Sequence, residues 1–149
     1  MHMDSEQYIN SLFEKAGWFI GRKIEIEPGS SPKVSKAYSN AVEILQEYGG
    51  LSIGEVGAGR GCSASDISFR TNTFNFNDEF HNRWNSLKKN LFAIATAHHD
   101  HMILLVDENK DTYIFTDPDE ELYFVGSFKE MTKKVLLGIH YGEPIEKNT

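Results

Sequence analysis

The chain has 149 residues, with 22 acidic side chains against 15 Lys and Arg, for a formal net charge of −7. This length fits one domain with a hydrophobic core, and the 40% hydrophobic content excludes wholesale disorder. The acidic balance argues against direct binding of nucleic acid, which needs clustered Lys and Arg. It fits a basic protein partner, or solubility alone.

Nothing in the sequence directs the chain to a membrane or an oxidising compartment. Cys62 is the single cysteine, so an internal disulfide is impossible. We expect no signal peptide, because the N-terminus lacks a basic start followed by an apolar run, and the longest apolar runs are too short to span a bilayer. We therefore expect a cytoplasmic protein in which residues 1–3 are a cloning remnant, 4–140 form one domain and 141–149 are a polar, frayed tail.

Helices dominate the first part of the chain. The first is predicted from Asp4, as its N-cap, to Gly17, with apolar side chains at helical spacing between them. The second is predicted to begin with Ser31 as N-cap and to run to about Tyr48. A third begins at Asp78.

Strands dominate the second part. Ser127 and Glu130 have the spacing of a capping box, which predicts a final helix ending at Gly138. Helices, then adjacent strands, then a helix are typical of an α+β fold, and we expect a single domain with a central, mostly antiparallel sheet flanked by about four helices. The predicted strands cover residues 23–27, 51–56, 66–69, 73–76, 91–97, 101–106, 112–115 and 121–125, with a hairpin connection at 107–111.

The segment His98-His99-Asp100-His101 is where metal chemistry would first be sought, since imidazole and carboxylate groups suit zinc. In a strand, however, His99 and His101 point to one side and His98 to the other, and no fourth ligand is obvious. We expect a solvated hairpin loop, no resident metal or cofactor and no catalytic residue. A small metal-dependent hydrolase that uses this segment is the less favoured alternative.

The connection after the first helix is dense in special residues, with the sequence Ala-Gly-Trp-Phe-Ile-Gly-Arg at positions 16–22. Local stability alone does not account for a Trp, a Phe and an Arg between two glycines. Trp18 and Arg22 build either the fold or an interface. For Trp18 we expect the fold, because so large an apolar side chain is usually buried.

This segment resembles the start of the SUKH-3 immunity proteins, in which Ala-Gly-Trp runs into a Gly-Arg pair. Residues 45–51, Leu-Gln-Glu-Tyr-Gly-Gly-Leu, are similar to the family's helix that ends in an aromatic-Gly-Gly-Leu element. Residues 104–113 resemble its Asp-Glu-Asp/Asn-Gly-x-x-Tyr hairpin, and residues 122–126 its closing Leu-Val-Gly. The positions taken as the family signature are Gly17, Trp18, Gly21, Arg22, Gly49 and Gly50.

The chain departs from the family pattern at several turns. Ile20, Ala93 and Ala95 stand where Pro, Pro and Gly are expected, and Lys110 stands where the hairpin has Gly. Asn77 and Asp78 stand where the family pattern has Asp-Pro. We expect these differences to change turn details more than the fold.

The resemblance implies an α+β immunity protein of the SUKH superfamily that neutralises a bacterial polymorphic toxin, often a nuclease or a deaminase, by binding it. It supplies no catalytic residue and no identity for the toxin. A regulatory protein-binding scaffold of the Smi1/Knr4 type is the alternative. Both share the fold, so the sequence does not separate them, and the oligomeric state stays open.

An acidic group around the predicted hairpin and the next loop is the candidate toxin-binding surface. A negative face would speed the encounter with a basic toxin domain and mimic phosphate charge. The alternative is that these are solvated loop charges. The group comprises Asp107, Glu108, Asp111, Asp117, Asp119, Glu120 and Glu121.

Overall fold

The computed structural model describes residues 5–26, 35–57, 64–74, 76, 90–99, 101–117 and 119–145. These form three helices and one six-stranded antiparallel sheet whose strands lie side by side in chain order. The predicted α+β class with a central antiparallel sheet is confirmed. The helices are α1 (Ser5–Ala16), α2 (Lys36–Tyr48) and α3 (Phe128–Leu137). The strands are β1 (Ser52–Ile53), β2 (Ile67–Phe69), β3 (Phe92–Ala97), β4 (Met102–Val106), β5 (Thr112–Thr116) and β6 (Glu121–Gly126).

The start of α2 differs from its prediction. Ser35 has extended backbone and its hydroxyl accepts a hydrogen bond from the Tyr38 N–H, so Ser35 is the N-cap. The prediction that α2 has Ser31 as its N-cap is therefore wrong. The predicted start and end of α3 are confirmed by the Ser127 cap and by the left-handed Gly138. The predicted N-cap at position 4 and the predicted third helix from position 78 lie outside the described residues.

Two short predicted strands do not join the sheet. Residues 23–26 lie outside it, and the Ile24 N–H donates to the Gln46 carbonyl at the end of α2. Thr73 and Phe74 lie beside the sheet, where the Ala93 N–H donates to the Phe74 carbonyl. The strand predicted at 51–56 shrinks to the two residues of β1. Alternation of residue types alone did not distinguish these extended segments from true strands.

The three helices cover one face of the sheet and build the larger core there. The inward side chains of α2 and α3 are buried there. The central members are Ala37, Ala41, Leu45, Met131 and Val135 from the helices with Ile94, Leu104 and Ile114 from the strands, each 0% exposed.

A second, smaller core lies on the other face. It consists of Phe76, Leu91, Ala93, Leu105, Tyr113, Phe115 and Leu122, with Phe74, Ile103 and Ile145 packed against it. Burial on both faces explains why β4 is a continuous apolar run instead of an alternating one.

The register of β3 against β4 shifts between Ala93 and Ala95, so Ile94 is the extra residue of a bulge. The two alanines are the positions where the family pattern has Pro and Gly. Both of those residues suit a bulge, where ladder pairing is interrupted. Alanine occupies the same bulge here.

Residues 139–145 pass around the edge strand β6. The Tyr141 ring packs edge-on against Tyr123 at 5.7 Å, and the Ile145 N–H donates to the Leu122 carbonyl at 2.7 Å. The expected fraying is therefore wrong for this part of the tail. The segment covers part of a strand edge that would otherwise offer its backbone to another chain.

The hairpin between β4 and β5 holds Lys110 in the left-handed region, with φ of 66°. A side chain there is strained, and glycine is the residue that the family pattern has at this position. We expect Lys110→Gly to raise the free energy of unfolding by about 0.5–1 kcal/mol in urea denaturation. Lys110→Ala is the control: it loses the same exposed ion pair with Glu43 but keeps the Cβ. Equal stability of the two variants would contradict the prediction.

Candidate functional site

The connection between α1 and α2 is fixed to the C-terminal end of α2. The Trp18 indole N–H donates to the Glu47 carboxylate at 2.9 Å. The Arg22 guanidinium donates through Nη1 to the Glu47 carbonyl at 2.5 Å and through Nη2 to the Gly49 carbonyl at 2.9 Å. The last carbonyls of a helix lack partners within it, and the forked cation binds one of them, that of Glu47, together with the carbonyl of the capping residue Gly49, at the negative end of the helix dipole.

The Gly-Gly pair after α2 needs glycine for two different reasons. A Cβ on Gly49 would lie 2.5 Å from the Leu45 carbonyl oxygen and 3.0 Å from that of Arg70, so this position has no space. Gly50 has φ of 81°, and a Cβ there would make only an ordinary contact, 3.8 Å from the Thr71 side chain, so glycine is required by conformation. Gly17 and Gly21, with φ of 116° and 87°, are also required by conformation.

The six signature positions thus meet at one junction between α1, α2 and the chain before β1. Trp18 is half-buried and packs against the larger core. The contacts of Trp18 and Arg22 give both side chains structural roles at the end of α2.

Phe19 and Ile20 form an apolar tip on this junction. The Arg22 N–H donates to the Phe19 carbonyl at 3.1 Å, and the third residue of this four-residue turn is Gly21 with its positive φ, as type II turns require. Ile20 is 88% exposed and Phe19 59% exposed. The sequence placed both residues in the segment but did not show that they point into solvent.

A groove of about 330 Å³ lies between α1 and α3. Trp18 is part of its lining, and the lining also includes charges of both signs. Its apolar lining comprises Ile9, Phe13, Trp18, Tyr48 and Phe128, and the charged residues are Glu6, Lys129, Glu130 and Lys133.

The acidic residues do not form the single cluster expected from the sequence. Glu108 and Asp111 belong to the hairpin before β5, whereas Asp117, Asp119 and the following acids come after it. A strand of five residues separates the two groups by roughly 13 Å, at the usual rise of about 3.3 Å per residue. The one-patch expectation is therefore wrong, because the strand between the two turns carries them to opposite ends of the sheet.

Asp107 is not a surface charge at all. It is 1% exposed, its Oδ1 accepts the N–H groups of Asn109 and Asp111, and its Oδ2 accepts the Tyr113 hydroxyl. The expectation that Asp107 belongs to the acidic surface is therefore wrong. The side chain instead closes the hairpin from inside.

The turn after β5 gathers negative charge at the other end. The pKa of Tyr123 is raised by burial first and then by the charges of Asp119, Glu121 and Glu143. Glu143 comes from the segment that wraps β6, so the sequence offered no sign that it joins this group. We call the set of Asp117, Asp119, Glu120, Glu121 and Glu143 the acidic turn group.

His98, His99 and His101 of the histidine segment lie in the connection between β3 and β4, beside this group. The Asp117 N–H donates to the His101 carbonyl at 2.8 Å, and His98 and His99 both have φ of 53°. The ring centres of His98 lie 6.3 Å from those of His99 and of His101. Among the described residues, no three His, Cys, Asp or Glu side chains are grouped to hold a metal ion.

Comparison with known proteins assigns the family. The model of the SUKH-3 immunity protein family matches residues 5–138. The chain belongs to this family. Comparisons with curated proteins and with solved structures find no match.

The SUKH-3 match covers α1 through α3, and so includes the signature junction, the apolar tip and both acidic turns. Glu143 and the rest of the segment that wraps β6 follow the matched region. In the part of this SUKH-3 chain that the structure describes, no helix combines the length and apolar character needed to cross a membrane.

Proposed function

We propose that this SUKH-3 protein protects its cell by binding a cognate toxin domain in the cytoplasm, one chain to one toxin, without catalysis. The toxin domain is basic, of the nuclease or deaminase kind. The observation that carries this proposal beyond the family is the acidic turn group, in which three of the five carboxylates raise the pKa of one tyrosine.

The acidic turn group suits a partner that itself binds nucleic acid. Such a toxin domain needs Lys and Arg clusters to hold phosphates. Clustered carboxylates would steer these cations into an encounter and occupy them in place of phosphate. The β5–β6 turn holds Asp119 in place through the Thr116 hydroxyl, at 2.5 Å from its Oδ1, which orders part of the charge before binding.

Charge reversal at the two ends of β5 tests the proposal. We expect Asp117→Lys with Asp119→Lys to slow association with a catalytically inactive form of the cognate toxin domain by about 10-fold or more at low salt. The dependence of the association rate on salt should flatten as well. The matched control reverses Glu108 and Asp111, which have the same charges at the hairpin end. Surface plasmon resonance across a salt series measures both.

If reversing Asp117 and Asp119 slows association no more than reversing Glu108 and Asp111 does, the acidic turn group is not part of the interface. Co-expression addresses the function itself, since the wild-type chain should keep cells alive in the presence of the active toxin domain. If the chain does not protect cells from the toxin domain and binds only proteins that are harmless to cells, the Smi1/Knr4-type scaffold is favoured. A toxin with neither nuclease nor deaminase activity would contradict the toxin class.

A further inference from the structure

The outer edge of β6 is only partly covered. β6 is the last strand of the sheet and pairs with β5 on one side. On its other side, the Leu122 carbonyl accepts the Ile145 N–H, and among the described residues this is the one backbone hydrogen bond to that edge from outside the sheet. Backbone groups left open on a strand edge are a template for pairing with a further strand.

Phe124 is the open position on this edge. Successive residues of a strand direct their N–H and C=O groups to opposite sides, so those of Phe124 point the same way as the Leu122 carbonyl. Within the described ranges, no backbone group pairs with them from outside the sheet. The Phe124 ring is 50% exposed and lies edge-on to Tyr113, with the ring centres 5.4 Å apart. Nothing lies within 4 Å of a Cβ built on Gly126, so a chain has space to approach here.

The two faces of β6 differ in chemistry along this edge. Leu122 and Phe124 share the face of the smaller core, whereas Glu121 and Tyr123 share the opposite face. On that opposite face, burial raises the pKa of Tyr123, and the charges of the acidic turn group raise it further. An added strand alternates in the same way, so its residue beside Phe124 should be apolar and its residue beside Tyr123 should be Lys or Arg.

We infer that the open edge of β6 at Phe124 receives an extended segment of the toxin domain as an added strand, and that this segment has a Lys or Arg next to an apolar residue. This inference rests on the proposed function. Hydrogen bonds between the two main chains supply affinity in such pairing, and the alternating side chains supply specificity. The acidic turn group lies at the start of the same strand, so the electrostatic contact and the main-chain contact form one continuous surface.

The residues at the sheet edges argue against a second copy of the chain as the partner. The two edge strands are β1, with Ser52–Ile53, and β6, with Glu121–Gly126, and neither contains Lys or Arg. A second copy that paired through either strand would therefore place no cation of that strand beside the carboxylates around Tyr123. A toxin domain that holds phosphates needs Lys and Arg clusters, so its segments can supply the charge that this edge lacks.

A proline at position 124 tests the main-chain contact. Phe124→Pro removes the outward N–H and places the proline ring on the edge, but it takes no hydrogen bond from the pairing with β5. Phe124→Ala is the matched control, because it loses the same aromatic ring and keeps the N–H. We expect Phe124→Pro to bind a catalytically inactive form of the cognate toxin domain at least about 10-fold more weakly than Phe124→Ala. Both variants should unfold at similar urea concentrations.

Hydrogen exchange of the wild-type chain tests the same contact without a substitution. The Phe124 amide should exchange about 100-fold or more slowly in the complex than in the free protein, because it gains a hydrogen-bond partner. The Tyr123 amide is the control, since it faces β5 and should change much less. The toxin segment that becomes protected together with Phe124 should have a Lys or Arg next to an apolar residue.

Three outcomes would overturn the inference while the proposed function stands. If the wild type binds the toxin domain but the Phe124 amide exchanges at its free rate, or the two variants bind equally, the edge is outside the interface. If the Phe124 amide of the free chain becomes protected as its concentration rises, the occupant is a second copy. If the protected toxin segment contains no Lys or Arg, the inferred partner chemistry is wrong. Failure of the wild type to bind the toxin domain overturns the proposed function itself, and this inference with it.

Discussion

Replacing Asp107 with alanine is expected to lower the free energy of unfolding by about 3 kcal/mol. The carboxylate is 1% exposed and accepts three hydrogen bonds, from the N–H groups of Asn109 at 2.8 Å and Asp111 at 3.0 Å and from the Tyr113 hydroxyl at 3.0 Å. Alanine would leave all three donors without this acceptor. Each unsatisfied buried donor costs about 1–3 kcal/mol, and water at the hairpin would satisfy part of the loss.

The partner most affected is Tyr113, which is 2% exposed. Burial raises the pKa of Tyr113 and the nearby charge of Asp107 raises it further, so the hydroxyl stays protonated and donates at neutral pH. The same hairpin is tied to α2, because the Asn40 side chain donates to the carbonyls of Asp107 and Glu108. Loss of the Asp107 acceptor would therefore loosen the hairpin and its contact with the helix layer together.

Urea denaturation of the variants measures this effect. Asp107→Asn keeps one acceptor oxygen and should lose about half as much stability as the alanine variant. Glu108→Ala, one position further on and exposed, should change the free energy of unfolding by less than about 0.5 kcal/mol. A loss below about 1 kcal/mol for Asp107→Ala would show that water replaces the carboxylate fully.

The sequence predicted the elements well wherever burial left a pattern in the residue types. Apolar residues recur at helical spacing in α2, and the strands β3 to β5 are nearly continuous apolar runs because the sheet is buried on both faces. The start of α2 was missed because Ser31 and Ser35 are both good N-caps, and only the observed hydrogen bond to Tyr38 shows which one acts. Exposed segments such as 23–26 carry no comparable constraint.

The candidate site was less predictable because it depends on distance in space. Asp107 and Glu108 are adjacent in sequence, yet one is buried inside the hairpin and the other faces solvent. Trp18 and Arg22 find their partners 25 to 29 residues away, at the end of α2. Glu143 joins the acidic turn group only because the chain after α3 turns back along β6. Patterns of neighbouring residues in the sequence do not show which distant residues come together in space.

Replacing Gly49 with alanine is expected to cost about 3 kcal/mol in free energy of unfolding, chiefly through overpacking. The φ and ψ of Gly49, −53° and 137°, are open to any residue, so backbone strain is not the reason. The added Cβ would instead lie 2.5 Å from the Leu45 carbonyl oxygen, 3.0 Å from that of Arg70 and 3.1 Å from the Ile24 side chain. Two of these neighbours are backbone atoms, so α2 or the chain after β2 would have to move.

Two neighbouring variants separate crowding from conformation. Gly50→Ala meets no atom closer than 3.8 Å but must hold φ near 81°, so it should cost about 1–2 kcal/mol. Gly57→Ala has open space and no positive φ, and should change stability by less than about 0.5 kcal/mol. Chemical denaturation measures the free energy of unfolding of the three variants and so ranks them. In thermal unfolding, Gly49→Ala should likewise show the largest fall in Tm. If Gly49→Ala loses no more free energy of unfolding than Gly50→Ala, the backbone around position 49 can move to accommodate the added Cβ. The close approach of α2 to the chain after β2 is then not the reason for the first glycine.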